Sequence, residues 1–170
     1  VDEAPEVPAE AESQYETILD QAQFEVWLKK LNDAKLIAFD TETTGLDAQQ
    51  AQLVGLSFAV KPGEAAYIPL THSYMGVPEQ LDRDTVLRAL KPILEDPNKA
   101  KVGQHAKFDI NILANCAISG DQACGIKVQG VAFDTMLESY VLDSTATRHD
   151  MDSMALKYLG HRTPHFQDIA

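Results

Sequence analysis

Apolar positions along the chain switch between two periods, and each switch marks an element. Residues 36–46 open with Leu-Ile-Ala-Phe, a run that predicts a strand buried on both faces, and Gly45 suits the turn that ends it. Residues 53–60 and 65–70 read as two further strands joined by the turn Lys61-Pro62-Gly63, so a three-strand antiparallel meander is expected. Ahead of it, residues 15–19 form a short strand candidate. Asp20 and Gln23 then make a capping-box pattern before Phe24, Trp27, Leu28 and Leu31. Their spacing of i, i+3, i+4, i+7 predicts an amphipathic helix with Trp27 in the core.

Past the meander the period stays mostly helical. Asp82 caps a helix that places Val86, Leu87, Leu90, Ile93 and Leu94 on one face, and Pro92 predicts a kink or an early end. Residues 100–103 make a strand, followed by a helix through Ile112, Leu113 and Cys116 with Asp109 in or near its first turn. Residues 119–129 read as a loop and residues 131–133 as a strand; Asp134 then caps a helix carrying Met136, Leu137, Tyr140 and Val141. Asp150 caps the last helix, in which Met151, Met154, Ala155, Tyr158 and Leu159 point inward and Gly160 is the stop. Three antiparallel strands thus lead into helix, strand, helix, strand, helix. That order predicts an α/β protein with a mixed sheet.

Composition narrows the function classes. The 170 residues suit one domain, and 45% hydrophobic with 24% charged residues is ordinary for a globular chain. Residues 1–13 are rich in Pro, Glu and Ala without an apolar period, the signature of a disordered linker. The net charge of -12 is uneven: Asp2, Glu3, Glu6, Glu10, Glu12 and Glu16 take six of the 26 acids, leaving 20 against 14 Lys and Arg. Nucleic-acid modules are usually basic, so charge alone argues against that class. No apolar run reaches the length of a membrane span, and the N-terminus is acidic rather than signal-like. Cys116 and Cys124 have no disulfide-framework spacing, which fits free thiols in a reducing cytoplasm. His161 and His165 are spaced like half a zinc finger, but Pro164 between them and the missing C-x-x-C argue against a zinc site.

Candidate chemistry begins at Asp40 and Glu42. Two positions apart on one strand, both carboxylates point the same way. Two anions held together repel, so one stays protonated unless a cation joins them. With no His or Cys in the group, a hard ion such as Mg2+ or Mn2+ is the natural neutraliser. The alternative is a polar strand end facing solvent. For Asp109 the alternative is a charge placed to suit the helix dipole. A cap and a solvated face account for Asp134 and Glu138.

Several separated motifs then agree in order and spacing. Phe-Asp-Thr-Glu-Thr-x-x-Leu, Val-Gly-Gln-x-x-Lys-Phe-Asp, Phe-Asp-Thr-Met-Leu-Glu-Ser-Tyr and Arg-His-Asp-Met-Asp-Ser resemble the 3′–5′ proofreading exonuclease domain of bacterial DNA polymerase I. The resemblance covers residues 15–170 and implies a ribonuclease H-like mixed sheet with helices on both faces and a four-carboxylate site. Asp40 and Glu42 match the first motif's metal ligands, and Asp109 the second motif's carboxylate, which meets metal mainly through water. Thr43 matches a contact to the terminal nucleotide and Leu46 a wedge beside the terminal base. Gln104 matches a polar contact, His105 stands beside it where Asn is often found, Arg148 matches a basic residue near a phosphate, and Phe166 an aromatic that packs on DNA.

The resemblance further implies two Mg2+ ions, replaceable by Mn2+, acting on a single-stranded or frayed 3′ DNA end. Metal charge held on acids then answers the objection from acidity. Residues 1–14 would be the linker after a 5′-nuclease domain, a polymerase domain would lie C-terminal, and the third motif, a Tyr and an Asp, would follow Ala170. A bacterial cytoplasm fits. Two rivals remain: a ribonuclease D-like enzyme that trims RNA, and a structural module that is catalytically inert in this truncated form; without the third motif, residues 1–170 alone are expected to be weak or inactive. The stretches 133–140 and 148–153 favour the polymerase domain over the first, and the presence of Asp40, Glu42 and Asp109 argues against the second.

Overall fold

The computed structural model describes residues 14–120, 125–145 and 148–163. Six strands form one sheet in the order β1-β4-β3-β2-β5-β6. Strands β2 (Leu36–Thr43), β3 (Leu53–Lys61) and β4 (Glu64–Pro69) are the expected antiparallel meander. Strand β1 (Gln14–Thr17) adds to its outer edge parallel to β4, while β5 (Ala100–Gly103) and β6 (Val131–Asp134) extend the other side parallel to β2. The meander's short turns make its strands antiparallel, while β5 and β6, each reached through a helix, pair parallel.

Register sorts the side chains of the central strands. Phe39 pairs with Phe58, Thr41 with Leu56, and Phe58 with Ala66, so these residues share the face that holds the core. Against it pack α1 (Gln21–Asp33) through Phe24, Trp27 and Leu31, α2 (Arg83–Leu94) through Leu87, Leu90 and Leu94, and α3 (Ala106–Asn115) through Ile112 and Leu113. Trp27 is buried there, as its helical spacing predicts. The capping box at Asp20 and Gln23 and the Asp82 cap form as read from sequence, and Pro92 stands in the last turn of α2, two residues before the helix ends. The opposite face carries Ala38, Asp40, Ser57 and Ala59, with Thr135 and Met151 at the starts of α4 (Thr135–Leu142) and α5 (Met151–Leu159) beside it.

Two features depart from the apolar pattern. Lys101, in β5, lies on the core face opposite Ile37 and is fully buried. Its ammonium donates to the carbonyls of Asp96 and Lys99 at 2.9 Å each, and burial pulls its pKa below the ordinary lysine value. In α5 only Met154 of the five residues expected inward is buried, whereas Met151, Tyr158 and Leu159 are exposed. Periodicity identifies an apolar stripe but not whether another element covers it.

One carboxylate ties the second half together. Asp134 ends β6 and caps α4, accepting from the backbone N–H groups of Met136 at 3.1 Å and Leu137 at 3.2 Å. It also accepts from His105 N at 3.2 Å and Ala106 N at 2.9 Å, the opening of α3. Those bonds hold His105 in the left-handed region at φ 57, a conformation costly for a residue with a Cβ. Because one cap is worth about 0.5–2 kcal/mol, Asp134→Ala should lose roughly twice that. The check is chemical unfolding of Asp134→Ala and Asp134→Asn, with the Asn variant expected to keep part of the loss back.

Candidate active site

Strand β2 runs past the end of β5 and so outlives its parallel neighbour. The β2–β5 pairing stops at Ala38 and Val102, after which the chain turns at Gly103 into α3. Gly103 allows this close turn, since a Cβ there would meet the Ala106 Cβ at 2.9 Å. The N–H of Thr41, beyond the last paired residue on that side, is taken by Asp109 instead. Asp109 Oδ1 accepts from Thr41 N at 3.1 Å and from Thr41 Oγ1 at 2.5 Å. A helix-borne carboxylate therefore replaces the missing strand and brings α3 to the end of β2.

This contact decides how the acids meet. Asp40 and Glu42 leave β2 on the face away from the core, as their spacing predicts, while Thr41 and Asp109 are buried on the core side. All four border one cleft of about 580 Å³ at the strand end, together with Thr43, Leu46, Gln104, His105 and Phe108. Among the described residues no three His, Cys, Asp or Glu side chains converge on one point that could hold a metal ion. The arrangement is a pair, Asp40 and Glu42, with Asp109 approaching past Thr41.

Electrostatics show what the cleft lacks. Burial, then the charges of Asp109 and Glu42, pushes the Asp40 carboxyl up to about 6. Burial also raises Asp109, against the opposing effect of its bonds from Thr41. Oxygen donors carrying excess negative charge suit a hard divalent cation, and Asp40 with Glu42 are the residues on one face that could hold one. Burial and the Glu42 charge likewise push the Tyr67 hydroxyl up to about 12.

The remaining sequence candidates divide. Leu46 is 95% exposed on the rim, so it is no core residue, and Thr43 Oγ1 donates to the Gly45 carbonyl at 2.8 Å within the same turn. Gln104 borders the cleft with both ends of its amide engaged. Its Nε2 donates to the His149 carbonyl at 2.9 Å, and its Oε1 accepts from Thr135 Oγ1. His105 lines the cleft from its strained position before α3. Arg148 is exposed outside the lining and faces Asp150 at 3.5 Å. Phe166 lies outside the described residues, as do Cys124 and His165. Sequence reading missed Thr41, whose side chain points away from its acidic neighbours, and Phe108 as a cleft wall; both lie inside motifs already singled out. It also missed Tyr67, which no local pattern connects to Glu42.

Comparison with known proteins identifies the family. A family model described as 3′–5′ exonuclease matches residues 15–170. DNA polymerase I of Pseudomonas aeruginosa is 72% identical over 165 residues, which is 97% of this chain but 17% of that polymerase. The chain therefore spans about a sixth of the length of that relative. Among solved structures, Escherichia coli RNase D superposes with TM-score 0.62 at 17% identity, covering 92% of this chain and 36% of that one. Brucella melitensis NrnC with bound Mg2+ superposes with TM-score 0.60 at 18% identity, covering 94% and 68%. These two likenesses concern the fold.

A raised pKa gives a signed prediction for the metal-free protein. Asp40 favours its proton in the folded state, so its contribution to stability is complete below the ordinary value of 3.8 and is lost as pH rises through about 6. In excess chelator, raising the pH from 5 to 7 should therefore destabilise the wild type by about 1 kcal/mol more than Asp40→Asn, after screening of a half-buried group is allowed for. Thermal unfolding of both proteins at the two pH values measures this, and equal slopes would refute it.

Proposed function

The chain belongs to the 3′–5′ exonuclease domain family of DNA polymerase I, and from that membership we propose that it removes the 3′-terminal nucleotide of single-stranded or frayed DNA using two divalent cations, Mg2+ with Mn2+ as substitute. The observation that carries the proposal is the cleft bordered by Asp40, Glu42 and Asp109, with Asp40 pushed up to about 6. Such a site is short of positive charge.

Bound divalent ions would supply an activated water and would offset charge on the leaving 3′ oxygen. The chain's own part is placement. Asp40 and Glu42 would hold the ions, and Asp109, fixed by Thr41, would support them from beside the strand end. Leu46, exposed at the rim, wedges beside the terminal base, and Thr43 meets the terminal nucleotide. His105 and Phe108 wall the opposite side. Gln104 acts through the wall it ties to His149 and Thr135, since its amide is already occupied. Arg148, exposed outside the cleft lining, would meet the strand beyond it, and Phe166 would pack on DNA. The parent protein carries a polymerase domain on the C-terminal side and a 5′-nuclease domain on the N-terminal side.

Two variants separate the parts of this reading. Asp40→Ala should abolish binding of Mn2+ at the cleft, followed by electron paramagnetic resonance, and should abolish release of nucleoside monophosphates by the parent polymerase. Leu46→Ala should instead weaken single-strand binding by about 1 kcal/mol or more, with metal affinity and melting temperature unchanged. Running deoxy- and ribo-oligonucleotides side by side tests the substrate. Faster trimming of RNA would replace the DNA assignment with a ribonuclease, and full proofreading by Asp40→Ala would remove the metal centre.

A further inference from the structure

The rung of the sheet that holds Glu42 has an unusual occupant. Across the ladder Glu42 pairs with Gly55, and Gly55 pairs with Pro69. The space that a side chain at Gly55 would fill is taken by Tyr67, two residues back along β4. A Cβ built on Gly55 would lie 2.1 Å from the Tyr67 hydroxyl oxygen and 2.5 Å from the ring carbon that bears it. The hydroxyl thus stands almost where the Cβ of Glu42's cross-strand partner would be. Directly paired Cβ atoms lie roughly 4.5–5.5 Å apart. That distance places the phenol on the same face and rung as Glu42, within reach of its carboxylate through one water or a rotation of the Glu42 side chain.

Tyr67 is itself held from behind. Its hydroxyl lies 2.6 Å from His72 Nε2, with the two rings edge to face at 5.9 Å. The backbone of His72 is clamped in turn by Gln80: His72 N donates to Gln80 Oε1 at 2.8 Å, and Gln80 Nε2 donates to the His72 carbonyl at 2.9 Å. Strand β4 runs parallel to β2, so the loop carrying His72 emerges at the same end of the sheet as the acidic cleft. Strand β4 and the loop after it therefore supply a phenol backed by an imidazole, whose backbone an amide clamps, on the rung that holds Glu42.

We propose that Tyr67, oriented by His72, is a positioning residue for Glu42: the imidazole Nε2–H donates to the phenol oxygen, which directs the phenol proton onto the Glu42 carboxylate and fixes the oxygen that faces the metal. A carboxylate on an exposed strand end otherwise rotates freely, and outer partners of this kind set the orientation of a metal ligand. Gly55 is part of the device, because any larger residue would displace the phenol. The inference rests on the metal reading of Asp40 and Glu42.

The test titrates Mn2+ into the 170-residue chain and follows free Mn2+ by electron paramagnetic resonance, for the wild type, Tyr67→Phe, His72→Ala, His72→Gln and Asp40→Ala. Tyr67→Phe keeps the ring over Gly55 and removes only the hydroxyl. It should weaken Mn2+ binding about 10–100-fold, with the melting temperature in chelator unchanged. His72→Ala should show the same loss, and His72→Gln, which retains an N–H donor, should recover most of it. Wild-type Mn2+ affinity in Tyr67→Phe beside a loss in Asp40→Ala overturns the positioning role and leaves the metal site standing. A fall in affinity that merely tracks a lower melting temperature also overturns it, since packing would then explain both. Wild-type Mn2+ binding in Asp40→Ala removes the metal site itself, and the positioning role with it.

Discussion

The buried pair of hydrogen bonds from Thr41 to Asp109 is the constraint around which the site is built. A strand that outruns its parallel neighbour leaves backbone N–H groups without a ladder partner, and a buried one left unpaired costs about 1–3 kcal/mol. Asp109 satisfies Thr41 from the first turn of α3. That choice sets the distance of α3 from β2 and closes one wall of the cleft. It also brings the Asp109 carboxyl close enough to raise Asp40, so the bond that completes the fold also adds to the electrostatic strain of the cleft.

A second layer of polar contacts carries this precision outward. Asp134 fixes the turn before α3 and the start of α4 with the same carboxylate. Gln104 links that turn to His149, which is buried, sits in the left-handed region at φ 59 and lies 2.8 Å from Ser139 of α4 through its Nδ1. Tyr140 stacks on the same imidazole at 3.8 Å. A strained residue survives where several contacts determine it at once, and His149 has four, from Gln104, Ser139, Tyr140 and the Ser144 carbonyl. The α4–α5 region thus stands on polar links, while its apolar side chains Leu137, Val141, Leu142 and Leu159 are exposed.

Much of this was legible in the chain. The run before Asp40, the alternation that puts Asp40 and Glu42 on one face, the caps at Asp20, Asp82, Asp134 and Asp150, and the order of strands and helices all follow from local rules. They are legible because capping, turn chemistry and periodicity act within a few residues. Membership of the exonuclease family was equally legible, since its motifs are short runs read in order. Lys101 was not, because one polar residue in a four-residue strand says nothing about the carbonyls that receive its ammonium. The inward face expected of α5 was not either, because an apolar stripe carries no record of what covers it.

By itself, then, the sequence determined which segments become strands or helices, which acids are candidates and which family they belong to. Tertiary structure alone decided that Asp109 approaches from the core side of β2, that Asp134 serves two helices, and that Gly55 makes room for Tyr67 beside Glu42. Each of these joins residues far apart in sequence: Thr41 and Asp109 are separated by 68 positions. Contacts at that range depend on which strand ends first and which side chain is small enough to admit another. Such facts exist only once the sheet is assembled, because local propensity is blind to the neighbour across the ladder.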